Sequence, residues 1–160
     1  MIRSVIQKSK KTYFLIAIVL LSLLHYSFKP KVDEQELLAW SNRCLAESYD
    51  ASGEAQLKKW DLVLTGDAFI RLRKTYQNGK QEYYSFQLHR FNDMNYLGTT
   101  TNGTLQLKAI ADDIIVQTYN DPKGEIDTMA TQLNLPVKNM EPERLDSLIV
   151  ALNYFKEKSL

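Results

Sequence analysis

The chain has 160 residues, room for one modest domain and an additional segment. One cysteine (Cys44) and two histidines (His25, His89) exclude an intramolecular disulfide framework, a cysteine-based zinc cluster and a histidine-rich metal site; no cofactor or metal is expected. Six of the 20 basic residues and none of the 19 acidic ones lie in residues 1–32, so residues 33–160 carry a net charge of −5 and make a poor nucleic-acid binder.

Residues 1–11 form a short basic leader, and residues 12–28 (TYFLIAIVLLSLLHYSF) are almost continuously apolar without a full charge. Their length is at the low end for a bilayer-spanning helix. The exit, Leu24 to Pro30, lacks the small-residue pair of a cleavage site, so an uncleaved signal-anchor is preferred to a cleaved signal peptide or a buried helix. Four basic residues precede the span and two follow it, which places the N-terminus in the cytoplasm and residues 33–160 outside, in a periplasm or at the cell exterior. His25 and Tyr26 suit the far headgroup boundary.

Pro30 breaks any continuous helix, and Asp33 with Glu36 resembles a capping box for a new one. Leu37, Leu38, Cys44 and Leu45 fall near one face, with Trp40 on the flank; Cys44 reads as a packed side chain with no basic neighbour to activate it. The helix ends in the polar run 49–54, which contains Gly53.

Residues 57–65 read as a strand and Gly66-Asp67 as a tight turn. Residues 67–91 are two β-rich runs joined through Asn78-Gly79, a strong hairpin signal. A two-residue loop would mix both faces. A three-residue loop, Gln77 to Gly79 with Gly79 left-handed, sets Ile70 opposite Phe86, Leu72 opposite Tyr84 and Lys74 opposite Glu82. That register makes one apolar face and one cross-strand charge pair. The other face carries Phe69, Arg71, Arg73, Tyr83, Ser85, Gln87 and His89.

Further strands are expected at 94–101, 105–111, 114–119 and 126–133, separated by turns at Asn92-Asp93, Asn102-Gly103, Asp112-Asp113 and 120–124. Residues 142–157 form a closing helix: Pro142 suits its first position, and Leu145, Leu148, Ile149, Leu152 and Phe155 make an apolar stripe. The expected fold is α+β: a helix, an antiparallel meander of six or seven strands curved towards a half-barrel, and a C-terminal helix.

No phosphate loop, dinucleotide fingerprint, nucleophile elbow or His-Glu-x-x-His motif occurs, and no catalytic residue is assigned. His89 reads as a surface histidine, and Asp112-Asp113 as solvated turn residues. Asn102-Gly103-Thr104 and Asp127-Thr128-Met129 fit short glycosylation acceptors, weak motifs at this length. The binding candidates are Arg71, Arg73, Tyr83, Ser85 and His89 on one sheet face, where two arginines two residues apart could fork around a carboxylate or phosphate. The leading expectation is a membrane-anchored extracytoplasmic interaction module or accessory subunit with a protein partner. The alternative is a carrier or sensor of an apolar or lipid ligand held between the curved sheet and the last helix; an enzyme ranks third.

Overall fold

The computed structural model describes residues 33–159. The basic leader and the membrane span expected at 12–28 lie outside the described residues, and no described helix is long and apolar enough to cross a membrane.

Helix α1 (Glu34–Ser48) opens with Glu34 and Glu36 at the positive end of its dipole and buries Ser41, Cys44, Leu45 and Ser48. Eight strands follow: β1 (Leu57–Leu64), β2 (Phe69–Tyr76), β3 (Gln81–Gln87), β4 (Phe91–Gly98), β5 (Asn102–Ala109), β6 (Ile114–Tyr119), β7 (Asp127–Ala130) and β8 (Gln132–Lys138). A 3-10 turn, Leu88–Arg90, separates β3 from β4, and α2 (Pro142–Lys158) closes the chain.

The β2–β3 hairpin has the register argued from its sequence: Ile70 faces Phe86, Leu72 faces Tyr84 and Lys74 faces Glu82. Tyr76 N–H donates to the Lys80 carbonyl at 2.9 Å, enclosing a three-residue loop in which Gly79 has φ 87°.

The rest of the meander departs from expectation. The strands form two antiparallel sheets, ordered β1-β2-β3-β6-β7 and β4-β5-β8, instead of one curved sheet of six or seven. The chain changes sheet at Leu88–Arg90, at residues 110–113 and at Thr131. These crossings lie side by side: Ile110 N–H donates to the Arg90 carbonyl at 2.9 Å, and Ala109 N–H to the Thr131 carbonyl at 2.8 Å. Asp113 pairs with Arg90 there at 2.9 Å, so it is a corner clamp and not a free turn carboxylate.

The single strand expected at 126–133 is thus β7 and the start of β8, split at Thr131. The strand most hidden by its own sequence is β8, because Pro136 argues against a strand interior. It is tolerated because the Pro136 carbonyl faces outward, accepting from Asp50 N–H at 2.8 Å, so the missing donor is on the side away from β5. Asn92-Asp93 is a bulge inside β4, not a turn. The β4–β5 turn falls at Thr99 to Thr101, because Gly103 pairs opposite Gly98 within the ladder. A Cβ at Gly103 would lie 2.4 Å from the Tyr96 hydroxyl, which explains the glycine by close approach.

Both sheets turn their apolar faces to one core: Leu62, Leu64, Ile70, Leu72 and Phe86 from the first, Leu105, Leu107, Leu133 and Leu135 from the second. Helix α2 adds Leu148, Ala151, Leu152 and Phe155, all buried, while Leu145 and Ile149 of the expected stripe are half-buried at its margin. Ion pairs Arg144–Glu47 and Lys158–Glu34 join α2 to α1.

Candidate functional site

Alternation along the strands leaves the first sheet an outer face in rows. One row runs Val63, Arg71, Ser85, Ile115, Met129 across five strands. The next runs Asp61, Arg73, Tyr83, Gln117, Asp127, and a third adds Thr75, Gln81 and Tyr119. Over the second and third rows opens a cleft of about 500 Å³, lined by Arg73, Gln81, Tyr83 and Tyr119 from the strands and Asn120 and Glu125 from the β6–β7 loop.

The sequence candidates do not converge on one point. Arg73 and Tyr83 line the cleft, with the guanidinium 5.8 Å from the Tyr83 ring centre. Arg71 turns elsewhere: it stacks 4.9 Å over Phe69 and lies 3.8 Å from Asp67, and its Nε is buried without a hydrogen-bond partner. The two guanidiniums therefore have different partners, and Arg71 does not line the cleft. Ser85 shares the face but is buried between Arg71 and Ile115 in its row. His89 is in the 3-10 turn at the sheet corner and lies outside the strand rows.

Sequence reasoning missed a polar network on the opposite, core-facing side of the hairpin end. Lys74 and Glu82 do face each other, but the Lys74 ammonium pairs with Glu54 at 2.6 Å. Glu82 takes Lys80 at 3.0 Å and accepts from the Tyr76 and Tyr84 hydroxyls at 3.1 and 3.3 Å. Tyr76 also approaches Glu54 at 3.1 Å, and Tyr49 donates to the same carboxylate at 2.5 Å. Lys80 continues the network to Asp121 at 2.9 Å, on the loop that walls the cleft. The clue in the sequence was alternation: Lys74, Tyr76, Glu82 and Tyr84 share the apolar register. Glu54 and Asp121 come from loops, whose approach no local pattern reports.

The electrostatics follow from this packing. Burial and then the hydrogen bond to Glu54 push the Tyr49 phenol well up, and burial with Glu82 and Glu54 does the same for Tyr76. Burial and the Glu82 charge raise Tyr84 to about 12. Burial alone would raise Glu54, but hydrogen bonds from Lys74 and Tyr49 outweigh it and hold the carboxyl below its usual value. Asp121 is lowered by the Lys123 N–H and by Lys80, and Lys80 is raised by Asp121 and Glu82. The network holds fixed charges and neutral phenols near neutral pH, which suits it to tying segments together.

Cys44 has a basic neighbour that its own helix does not disclose, the Arg144 guanidinium of α2. Burial still prevails and pushes the thiol up, so Cys44, 2% exposed, is a packed and unreactive side chain. Beneath the C-terminal end of α2, a cleft bounded by Ala68, Gln87 and Phe155 holds about 110 Å³. That is below the roughly 300 Å³ at which small-molecule sites begin.

No protein-family model, no curated protein and no solved structure matches the chain.

Proposed function

We propose that this chain is a membrane-anchored extracytoplasmic interaction module or accessory subunit, whose outer sheet face receives a protein partner. Its anchor is the apolar segment 12–28, and the excess of basic residues before that segment sets the orientation. The observation carrying the reading is the composition of the outer face. Val63, Ile115 and Met129 share a row with Arg71, although this is the side away from the core, and Met129 and Tyr119 are 48% and 44% exposed. Apolar and aromatic side chains interleaved with arginine are the composition of interface centres.

The packing beneath α2 favours this reading over a carrier of apolar ligands, since Leu148, Leu152 and Phe155 occupy that space. The test is in-membrane photocrosslinking of the full-length chain, with the triple variant Arg71→Ala/Arg73→Ala/Tyr83→Ala. Capture of a protein neighbour is expected to fall about tenfold or more while circular dichroism stays unchanged. Undiminished capture removes this face from the reading.

A further inference from the structure

The outer cleft is lined by polar and aromatic side chains whose charges balance. Arg73 is on the strand floor and Glu125 on the loop wall, with the Gln81 and Asn120 amides and the Tyr83 and Tyr119 phenols around them. Three ligand classes fit poorly. An apolar ligand would strip water from these groups and leave them unpaired. A phosphate or carboxylate would gain Arg73 but meet the Glu125 carboxylate in the same space. A cation would meet the reverse conflict.

A neutral polyhydroxyl ligand meets none of these penalties. Each amide offers a donor and an acceptor, the guanidinium offers a planar fork of donors, and the carboxylate accepts twice. These are the complements of paired hydroxyl groups, and an exposed tyrosine ring offers a flat apolar surface to the C–H face of a sugar ring. The volume, about 500 Å³, accommodates more than one sugar unit.

The walls are also held in place. Tyr119 donates to Gln117 at 2.9 Å, and Asn120 N–H reaches Glu125 at 3.3 Å. Lys80 ties the loop to the hairpin through Asp121. Asn120 adopts φ 55°, a left-handed conformation that asparagine tolerates and that turns the chain over the cleft. Such support lowers the ordering cost of binding.

We infer that this cleft is a saccharide-binding site for neutral sugar units, with Tyr119 as the stacking platform, Gln81, Asn120, Arg73 and Glu125 as the hydroxyl partners, and Lys80 as a positioning residue. The site goes beyond the protein-partner reading but shares its face and two residues, Arg73 and Tyr83, so its own test rests on Tyr119 and Gln81.

The experiment titrates the full-length chain, in a detergent without sugar headgroups, with maltotriose, cellotriose and chitotriose, followed by saturation-transfer NMR. At least one trisaccharide is expected to bind with a Kd of about a millimolar or tighter, and Tyr119→Ala and Gln81→Ala each to weaken it about tenfold. Tyr119→Phe keeps the ring and is expected to stay within about threefold. Lys138→Ala, on the second sheet, is expected to change nothing. Absence of binding by all three sugars, or equal binding by wild type and both alanine variants, overturns the inference. If the wild-type chain still captures a protein neighbour in that case, and the triple variant does not, the interaction-module reading stands and only the saccharide site falls; a wild-type chain that captures neither sugar nor protein overturns both.

Discussion

Glu54 shows how much a single loop residue can organise. It accepts from Lys74 and Tyr49, lies 3.1 Å from the Tyr76 hydroxyl, and so joins the segment after α1 to the hairpin end. Its folded pKa is depressed, so the stability it contributes is present above the unfolded carboxylate value, near 4.3, and is lost as pH falls through the folded pKa. Wild type and Glu54→Gln should differ in urea midpoint by a constant amount above about pH 5, with the gap closing in more acidic solution. A gap independent of pH would exclude the charge as its source. The phenols act at the other end of the scale. Tyr84 is raised to about 12, so its contribution is intact below the unfolded value near 10 and declines above it. Its neighbour Lys80 matters differently, since it places the cleft's loop without touching the cleft itself.

The elements divide into those stabilised by their own pattern and those stabilised by neighbours. The β2–β3 hairpin is of the first kind, since alternation and a loop glycine suffice to define it. The sheet edges are of the second. Asn42 of α1 closes the β1 edge with two hydrogen bonds to the Leu64 backbone, 2.7 and 2.8 Å, in the manner of a neighbouring strand. The β8 edge is covered by a bridge from Tyr49 to Val137 and by Asp50 N–H. Helix α2 belongs to both kinds: its stripe is legible, but its stability comes from burial against α1 and the sheet corner. Leu152→Ala, at a fully buried position, is expected to cost about 2–5 kcal/mol in denaturant unfolding, whereas Val150→Ala, on the 66% exposed side, should stay within about 0.5 kcal/mol. Equal effects at the two positions would contradict the packing of this helix.

At the scale of the molecule, one core closes two sheets and two helices, and the outer face of the larger sheet is left to solvent. The proposed orientation puts that face outside the cytoplasm. A reporter fused after residue 160 should be active only if it functions outside the cytoplasm, as alkaline phosphatase does. A cytoplasmic reporter signal would reverse the topology and remove the extracytoplasmic reading with it.

Local information determined the α+β class, the two helices, the hairpin register and the division of charge between the first 32 residues and the rest, because periodicity, turn chemistry and composition act over a few residues. Arg73 and Tyr83 were legible as neighbours for the same reason, since paired strands set them opposite each other. What only the tertiary structure decided was the split into two sheets, the strand carrying Pro136, the separation of Arg71 from Arg73, and the loop that brings Asn120 and Glu125 over the strands. Each of these depends on which distant segments meet. A strand's own residues state its two faces but not the point at which it leaves one sheet for another, and a side chain's direction is chosen by the partners that packing supplies.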